Sequence, residues 1–150
     1  MAEESTKTTY YEAVGRRKNA TARVRLHVVK DESMTMNGVT LAKGDVLVNG
    51  RPAEQYFAGE IMKKMYLEPF RTTNTIGRFV VSVVITGGGL SGQLNAMVHG
   101  ISRALEKTDK EKFRPILKKR GFLKRDPRTR ERRKPGRAGK ARAQKQSPKR

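Results

Sequence analysis

Residues 79–85, which read Phe-Val-Val-Ser-Val-Val-Ile, are the most apolar run of the chain and decide its fold. Near-continuous β-branched residues are typical of a central strand that is covered on both faces. Gly87-Gly88-Gly89 follow, and a helix is predicted from about Ser91 to Lys107. Its apolar residues recur at helical spacing: Leu94, Met97, Val98, Ile101, Ala104 and Leu105. The sequence therefore predicts a strand–turn–helix unit at the centre of an α/β (α+β) domain.

Two further strands are predicted upstream, over residues 9–14 and 22–30, with a turn at 15–19. The second strand alternates, so Val24, Leu26 and Val28 face one side and Arg23, Arg25 and His27 face the other. Paired as a hairpin, the two strands would gather the basic residues of the open face and turn into one patch. That patch consists of Arg16, Arg17, Lys18, Arg23 and Arg25.

The remaining segments of the domain are shorter. Residues 31–45 are polar and predict mostly loop, and residues 46–48 predict a short strand that stops at Asn49-Gly50. Asn-Gly often forms a hairpin turn, but Pro52 favours a short helical turn instead.

Two more helices are predicted before the C-terminal segment. Residues 60–69 pair Ile61 with Met65 and Met62 with Tyr66, with Lys63 and Lys64 outside. Residues 111–119 predict a second helix whose contacts are Phe113, Ile116 and Leu117. Pro115 is expected to make it start late, and Gly121 to end it.

The C-terminal segment, residues 118–150, is the most charged part of the chain. It has sixteen Lys and Arg against two acidic residues, a formal charge of +14 out of +20 for the whole chain. It has too few apolar residues to offset its ordering entropy, so alone it is expected to be disordered. Pro127, Pro135 and Pro148 favour an extended path, which could reach on the order of 100 Å. The segment therefore predicts a polyanionic partner, and nucleic acid is favoured because no apolar stripe suits a membrane surface.

The glycine turn allows three interpretations. Gly87, Gly89 and Gly92 satisfy G-x-G-x-x-G between a strand and a helix, as in dinucleotide-binding proteins, but no second strand is predicted after the helix. A tight turn in which side chains do not fit is the simplest interpretation. The third is that backbone amides at the helix N-terminus hold a nucleic-acid phosphate.

Catalytic and metal-binding chemistry find little support. The chain has no cysteine and only two histidines, and local spacing suggests no carboxylate pair or catalytic triad. His27 is expected on the polar face of its strand, either touching RNA or solvated, and His99 in helix packing. We therefore expect no enzyme activity, no metal and no cofactor.

Four signatures, in order, resemble those of the bacterial small-subunit ribosomal protein S9 family. They span from about Tyr10 to Arg150: Gly15-Arg16-Arg17-Lys18 with Ala20-Thr21-Ala22-Arg23-Val24; Asn49-Gly50-Arg51-Pro52 with Tyr56-Phe57; Gly87-Gly88-Gly89-Leu90-Ser91-Gly92-Gln93 with Ala96, His99-Gly100-Ile101 and Arg103-Ala104-Leu105; and Leu123-Lys124-Arg125-Asp126 with Arg128 and Glu131-Arg132-Arg133-Lys134. The chain departs from the family in a longer 31–44 connection. It also departs at its end, where Pro148 precedes Lys149-Arg150 and the usual aromatic residue is missing.

The resemblance implies a compact four-stranded sheet packed with helices, a long extended basic tail, and a place in the head of the small subunit. The implied partners are 16S rRNA, neighbouring head proteins and peptidyl-site tRNA, for a protein that is monomeric within the cytoplasmic ribosome and contacts no membrane. Residues 1–8 are expected to be disordered, 9–117 to form the domain, and 118–150 the tail. Lys149 and Arg150 are assigned to tRNA. The residues assigned to rRNA are Arg16, Arg17, Lys18, Arg23, Arg25, Gly87, Gly88, Gly89, Lys118, Lys119, Arg120, Lys124, Arg125, Arg128, Arg130, Arg132, Arg133, Lys134, Arg137, Lys140, Arg142 and Lys145.

Two alternatives stay open on the sequence alone. A DNA-compacting, histone-like protein would have a similar basic tail, and preference for folded rRNA over duplex DNA at matched salt would distinguish the two. A dinucleotide-dependent enzyme would bind nicotinamide or flavin nucleotides at micromolar concentration.

Overall fold

A computed structural model describes residues 10–29, 33–36, 38–133 and 135, and these residues form a sheet with helices. The strands are β1 (Tyr10–Arg17), β2 (Ala20–His27), β3 (Ser33–Met36), β4 (Val39–Ala42), β5 (Val46–Val48), β6 (Arg51–Pro52) and β7 (Val80–Thr86). The helices are α1 (Ala53–Tyr56), α2 (Glu60–Thr72), α3 (Leu90–Thr108) and α4 (Lys110–Lys119). The predicted α/β class, the pairing of the first two strands and the strand–turn–helix unit are confirmed. The turn between the first two strands is shorter than the predicted residues 15–19, because β1 continues to Arg17.

The main sheet has the strand order β1-β2-β7-β5-β6, so β7 is central as predicted. Strands β5 and β7 run parallel and the other neighbours are antiparallel. The expected count of four strands is wrong by one, because β6 adds a two-residue edge strand beside β5.

The helices cover one face of the main sheet, which we call the covered face. Register aligns Val24 with Val83, and Leu26 with Val81, and these residues are buried in the core that α3 completes. Fully burying a Val or Leu side chain contributes about 1.5–3 kcal/mol relative to leaving it exposed. Helix α3 runs from Leu90 to Thr108, within one residue of the predicted bounds at each end.

The described residues cover the opposite face, which we call the open face, only at one end. There Leu41, Leu47 and Val80 form a second small core with the methionines of β3. At the other end of β7, Val84 is 47% exposed. The predicted burial of this strand on both faces is therefore right at its start and wrong at its end.

The second small core also explains why the loop predicted at 31–45 is wrong. Strands β3 and β4 pair as a two-stranded sheet, with Met34 opposite Leu41. Gly38 takes a φ of 77° at their turn, a conformation that glycine adopts without strain. Short strands with few apolar residues carry a weak sequence signal, and tertiary packing decided their structure.

The turn at Asn49-Gly50 is a hairpin turn after all. Leu47 and Val48 pair with Pro52 and Arg51, and both turn residues have positive φ, 49° and 78°. That geometry is the usual one for two-residue hairpin loops. The helical turn that Pro52 favoured also forms, as α1, but it begins one residue later, at Ala53.

The predictions for two helices need corrections. Helix α2 continues past residue 69 because Phe70 is buried, while Ile61 and Met65, predicted inside, are 77% and 40% exposed. In α4, Ile116, predicted as an apolar contact, is 41% exposed. Helix α4 does not start late. Asp109 caps its first turn by accepting from the Lys112 N–H at 3.1 Å, and Pro115 lies within the helix.

The end of α4 agrees with the sequence. Gly121 has a φ of 76°, and the N–H groups of Gly121 and Phe122 donate to the carbonyls of Lys118 and Leu117. This pair of hydrogen bonds is the common pattern at a helix end that is terminated by glycine. It turns the chain so that Phe122 and Leu123 pack against the core.

Candidate nucleic-acid interface

Three turns meet at one end of the main sheet: Lys18-Asn19 after β1, Asn49-Gly50 after β5, and Gly87–Gly89 after β7. A Cβ atom placed on Gly87 would lie 2.4 Å from the Asn19 carbonyl oxygen, so the first and third turns touch. Asn49 connects the second turn to the end of β7. Its side-chain amide donates to the Ile85 carbonyl at 3.0 Å, and its carbonyl accepts from the Ile85 N–H at 2.8 Å.

The glycine turn is explained by tight backbone geometry. Gly87 and Gly88 have φ values of 73° and 67°, and a Cβ on Gly88 would be 3.0 Å from the Ala20 side chain. Gln93 donates to the Gly87 carbonyl at 3.1 Å and accepts from the Tyr56 hydroxyl at 2.9 Å, which fixes the turn from outside. Gly89 differs, because a Cβ there would meet open space.

The dinucleotide interpretation of this turn fails on topology. That fold needs a second parallel strand after the helix, next to the first. In the described part of the chain, α3 is followed by α4 and then by residues outside any strand. The parallel neighbour of β7 is β5, which precedes it.

The predicted basic patch forms with one exception. Strand alternation places Arg16, Arg23 and Arg25 on the open face, with Lys18 at the adjoining turn. Arg17 has the opposite parity and does not join them.

The two arginines in the middle of the open face differ in their partners. The Arg25 guanidinium donates to the Glu12 carboxylate at 2.6 Å and lies 4.9 Å from the centre of the Tyr10 ring. The hydrogen bond with Glu12 raises the pKa of Arg25. Arg23 is exposed between Val14 and Val84 and takes part in none of the ion pairs found among the described residues. Arg23 is therefore the more available cation of this face.

Arg17 instead holds the first residues of the tail. Its Nη1 donates to the carbonyls of Asp126 at 3.3 Å and Arg128 at 2.9 Å, and its Nη2 lies 3.0 Å from the Asp126 carboxylate. The Asp126 carboxylate also accepts from the Arg128 guanidinium at 2.7 Å. Hydrogen bonds from Arg128 hold the pKa of the Asp126 carboxyl well below its usual range.

Helix α3 presents a row of polar side chains to the edge strand β1. His99 accepts from the Arg16 N–H at 3.3 Å, Arg103 donates to the Val14 carbonyl at 2.6 Å, and Lys107 donates to the Glu12 carbonyl at 2.7 Å. Four residues of helix rise about 6 Å, close to the repeat of two strand residues, so the contacts stay in step. The row occupies backbone groups that an edge strand would otherwise expose.

His99 uses both ring nitrogens, and this fixes its protonation. Its Nδ1 accepts from Arg16, so Nε2 carries the proton and donates to the Leu123 carbonyl at 3.3 Å. Burial lowers the pKa of His99, because the charged form loses hydration. The expectation that His99 takes part in helix packing is therefore extended, since it also touches the tail.

His27 does not have the exposed position that the sequence predicted. It is 4% exposed, with Nε2 at 3.1 Å from the Ser82 hydroxyl and its ring beside Tyr10. Burial lowers the pKa of His27. Strand alternation gave the correct face, but Tyr10 covers that position. Val28, predicted inside, is exposed, because β2 ends at His27.

A cleft of about 290 Å³ lies where β1, α3 and the tail meet. Five basic residues line it: Arg16, Arg17, Lys124, Arg125 and Arg128. Its one acid, Asp126, is already paired, so the lining keeps an excess of positive charge. A cleft with this lining suits a phosphate group.

The other predicted tail contacts are less confined. Lys118, Lys119 and Arg120 are exposed at the end of α4, and Arg130, Arg132 and Arg133 are exposed beyond the cleft. The rest of the assigned tail lies outside the described residues: Lys134, Arg137, Lys140, Arg142, Lys145, Lys149 and Arg150.

Two residues that the sequence did not select for binding belong to this region. Arg51 is exposed directly after the Asn49-Gly50 turn, at the end of the sheet where the three turns meet. Asp126 appeared in the fourth family signature and as one of two acids in a basic tail, and its sequence position after Lys124-Arg125 gave no sign of Arg17 as partner.

Other chemistry finds no support in the described ranges. Their histidine, aspartate and glutamate side chains form no group that could hold a metal ion. None of the helices there is long and apolar enough to cross a membrane.

Comparison with known proteins shows the family of this chain. The model of the family described as ribosomal protein S9/S16 matches residues 15–150. The chain belongs to that family. A small ribosomal subunit protein uS9 from Dehalococcoides mccartyi is 45% identical over 130 residues, covering 87% of this chain and 88% of the relative. The uS9 proteins of an Anaeromyxobacter species and of Maridesulfovibrio salexigens are each 44% identical, covering 84% and 85% of this chain and 86% and 87% of theirs.

Membership in the S9/S16 family decides the class of protein. The chain is a ribosomal protein of the small subunit, a structural component and not an enzyme. The cleft, the open face and the three turns are thus parts of a ribosomal protein.

Proposed function

We propose that the chain binds 16S rRNA in the head of the small subunit through its basic turns and cleft, and extends its tail toward peptidyl-site tRNA. The observation that carries the proposal is the cleft at the base of the tail. Arg16, Lys124 and Arg125 meet there, although they are far apart in sequence. These three basic residues, beside Arg17 and Arg128 that bind Asp126, form a site for a polyanion rather than a general surface charge.

The folded domain and the tail would contribute in different ways. The domain offers cations at fixed distances, which suits a folded RNA surface. The tail offers ten further Lys and Arg after residue 128 against Glu131 alone. Such a segment neutralises phosphates along its length and positions the RNA without reading its sequence.

The end of the tail is assigned to tRNA. Lys149 and Arg150 would approach the backbone of peptidyl-site tRNA and stabilise it by charge alone. Within the subunit the chain would act as a monomer beside other head proteins, in the cytoplasm.

The main test compares nucleic acids at matched salt. We expect the full chain to bind a folded 16S head fragment more tightly than duplex DNA of equal length, measured by filter binding or fluorescence anisotropy. If about eight tail cations contact phosphates, the log–log salt slope should be roughly −6, at roughly −0.7 per contact. Equal affinity for both nucleic acids would contradict the proposal and favour a DNA-compacting protein.

Truncation separates the domain from the tail. A chain ending at Arg128 should keep the contacts of Phe122, Leu123 and Asp126 and remain folded, while its salt slope becomes much shallower. Removal of Lys149 and Arg150 alone should leave subunit assembly intact and weaken peptidyl-site tRNA binding. Unchanged tRNA affinity in subunits carrying that truncation would refute the assigned role.

A further inference from the structure

We propose that Arg17, assisted by His99, is a positioning residue that docks the first segment of the tail, residues 122–128, onto the domain before any RNA is bound. We call this set of contacts the tail latch. It is a property of the free protein, while its use in RNA binding rests on the proposed function.

The geometry of Arg17 carries the inference. Its side chain is only 15% exposed, and its guanidinium contacts two main-chain carbonyls and one carboxylate of the tail. A guanidinium binds phosphate through the same planar set of N–H donors. Because these donors are already directed at Asp126 and Arg128, Arg17 differs in role from the exposed Arg23.

The tail is folded locally to meet Arg17. Asp126 accepts from the Arg128 N–H at 3.0 Å, which closes a turn around Pro127. Such Asx turns let a side chain replace a main-chain hydrogen bond. The turn directs the carbonyls of Asp126 and Arg128 toward Arg17.

Two further contacts hold the segment on its N-terminal side. The His99 Nε2–H donates to the Leu123 carbonyl at 3.3 Å, and Phe122 and Leu123 are partly buried against the core. The segment is therefore fixed by apolar burial, by His99 and by Arg17, in chain order.

The latch has a consequence for RNA binding. Lys124, Arg125 and Arg128 line the cleft with Arg16, and like charges so close repel one another. Asp126 is the one acid of the segment, and its pairing with Arg17 offsets part of that repulsion. Docking also means that these residues lose their conformational entropy when the domain folds. Less conformational entropy is therefore lost when RNA binds.

Limited trypsin digestion of the full chain without RNA tests the latch. In the wild type, we expect slow cleavage after Lys124 and Arg125 and rapid cleavage after Arg130, Arg132 and Arg133. Arg17→Ala should speed cleavage after Lys124 and Arg125 by at least about tenfold, because losing hydrogen bonds to a charged group changes a local opening equilibrium by that factor. Cleavage beyond residue 130 should not change.

Matched variants separate the geometry of the Arg17 contacts from its charge. Arg17→Lys keeps the charge but cannot form the planar set of contacts, so it should also speed cleavage after Lys124. His99→Leu should act in the same direction. Arg23→Ala removes an equal charge from the open face and should leave the pattern as in the wild type.

Three outcomes would overturn the inference. One is equal cleavage after Lys124 in the wild type and Arg17→Ala. Another is an equal acceleration at every site, Lys18 included, since Arg17 would then serve overall stability. The last comes from rRNA binding: a salt slope shallower by about 0.7 in Arg17→Ala would make Arg17 a direct phosphate contact. The digestion contains no RNA, so its result is independent of whether the chain binds rRNA.

Discussion

The two faces of the main sheet are built from the same strands and follow opposite rules. On the covered face, Gly15, Ala22 and Ile85 lie side by side, and α3 approaches so closely that a Cβ on Gly15 would be 1.9 Å from the Ala96 carbonyl oxygen. On the open face, the neighbouring row is Val14, Arg23 and Val84, and Arg23 is exposed. On the covered face the volume of a side chain decides whether it fits, whereas on the open face its charge is the property that matters.

The difference shows which residues can change without affecting the fold. A face in contact with a helix has no free space, because protein interiors are close-packed. The open face tolerates any side chain that keeps the strand, and under the proposed function its charge sets the affinity for RNA. Substitutions on the two faces should therefore alter different measured quantities.

Gly15→Ala should have the largest effect, on the covered face. The new methyl group would meet backbone atoms of Ala96 and Gly100, which cannot move without shifting α3. We expect a loss of about 3 kcal/mol or more in the free energy of unfolding, at the upper end for overpacking. Urea denaturation followed by circular dichroism measures it.

The matched control is Gly89→Ala, where the added methyl group meets open space and φ is −110°. Its stability should fall by less than about 1 kcal/mol, the cost expected because Gly89 is the N-cap of α3, where alanine is less favourable than glycine. Similar losses in both variants would mean that close approach of the helix is not what requires glycine at position 15.

Substitutions that change one charge on the open face should have an intermediate effect, and they should change RNA affinity. Arg23→Ala removes one free cation, and Glu12→Gln releases Arg25 from its pair. We expect the salt slope of rRNA binding to become shallower by roughly 0.7 in the first variant and steeper by a similar amount in the second. Stability should change little in either, because exposed ion pairs contribute about 0–1 kcal/mol.

The same two variants also test where RNA lies. If both leave the salt slope unaltered while the tail truncation alters it, the open face does not contact RNA. The difference between the two faces would then concern side-chain packing and not RNA binding.

The smallest effect should come from pH. Burial lowers the pKa of both His27 and His99 below the unfolded value of 6.5. As the pH falls below that value, the unfolded chain takes up protons before the folded chain does. The stability present above pH 6.5 is therefore lost as the pH falls from 6.5 through the folded pKa values. Urea midpoints at pH 7.5 and 5.5 should show a decrease at the lower pH.

Single variants assign that pH effect to a side of the sheet. His27 lies under Tyr10 and next to Arg25. His99, which lies on α3, faces three arginines: Arg16, Arg103 and Arg125. His27→Gln and His99→Gln should each reduce the difference between the two midpoints. A wild-type midpoint that is equal at both pH values would contradict the prediction.

Much of the covered face could be predicted from the sequence. The spacing of Leu94, Met97, Ile101 and Leu105 gave α3 within one residue at each end, because a helix face repeats regularly. The run at 79–85 gave the central strand, and Gly121 gave the end of α4, since each depends on local chemistry.

What failed depended on contacts between distant residues. The sequence predicts Gly15 in a turn, but it lies within β1, where α3 leaves no room for a side chain. Pro115 predicts a late start for α4, but Asp109 caps the helix and Phe113 and Leu117 are buried. The hairpin β3–β4 has the composition of a loop, and its packing on Leu47 and Val80 decided otherwise.

The basic tail shows the same division. The sequence by itself determined its charge, its lack of a core and the turn at Gly121, because composition and local backbone chemistry are sufficient for these. Only the tertiary structure decided that Arg17 turns away from the basic patch and holds Asp126, 109 residues later in the chain. Alternation along a strand fixes the face on which a side chain lies, but its partner depends on which distant segment folding brings to that face.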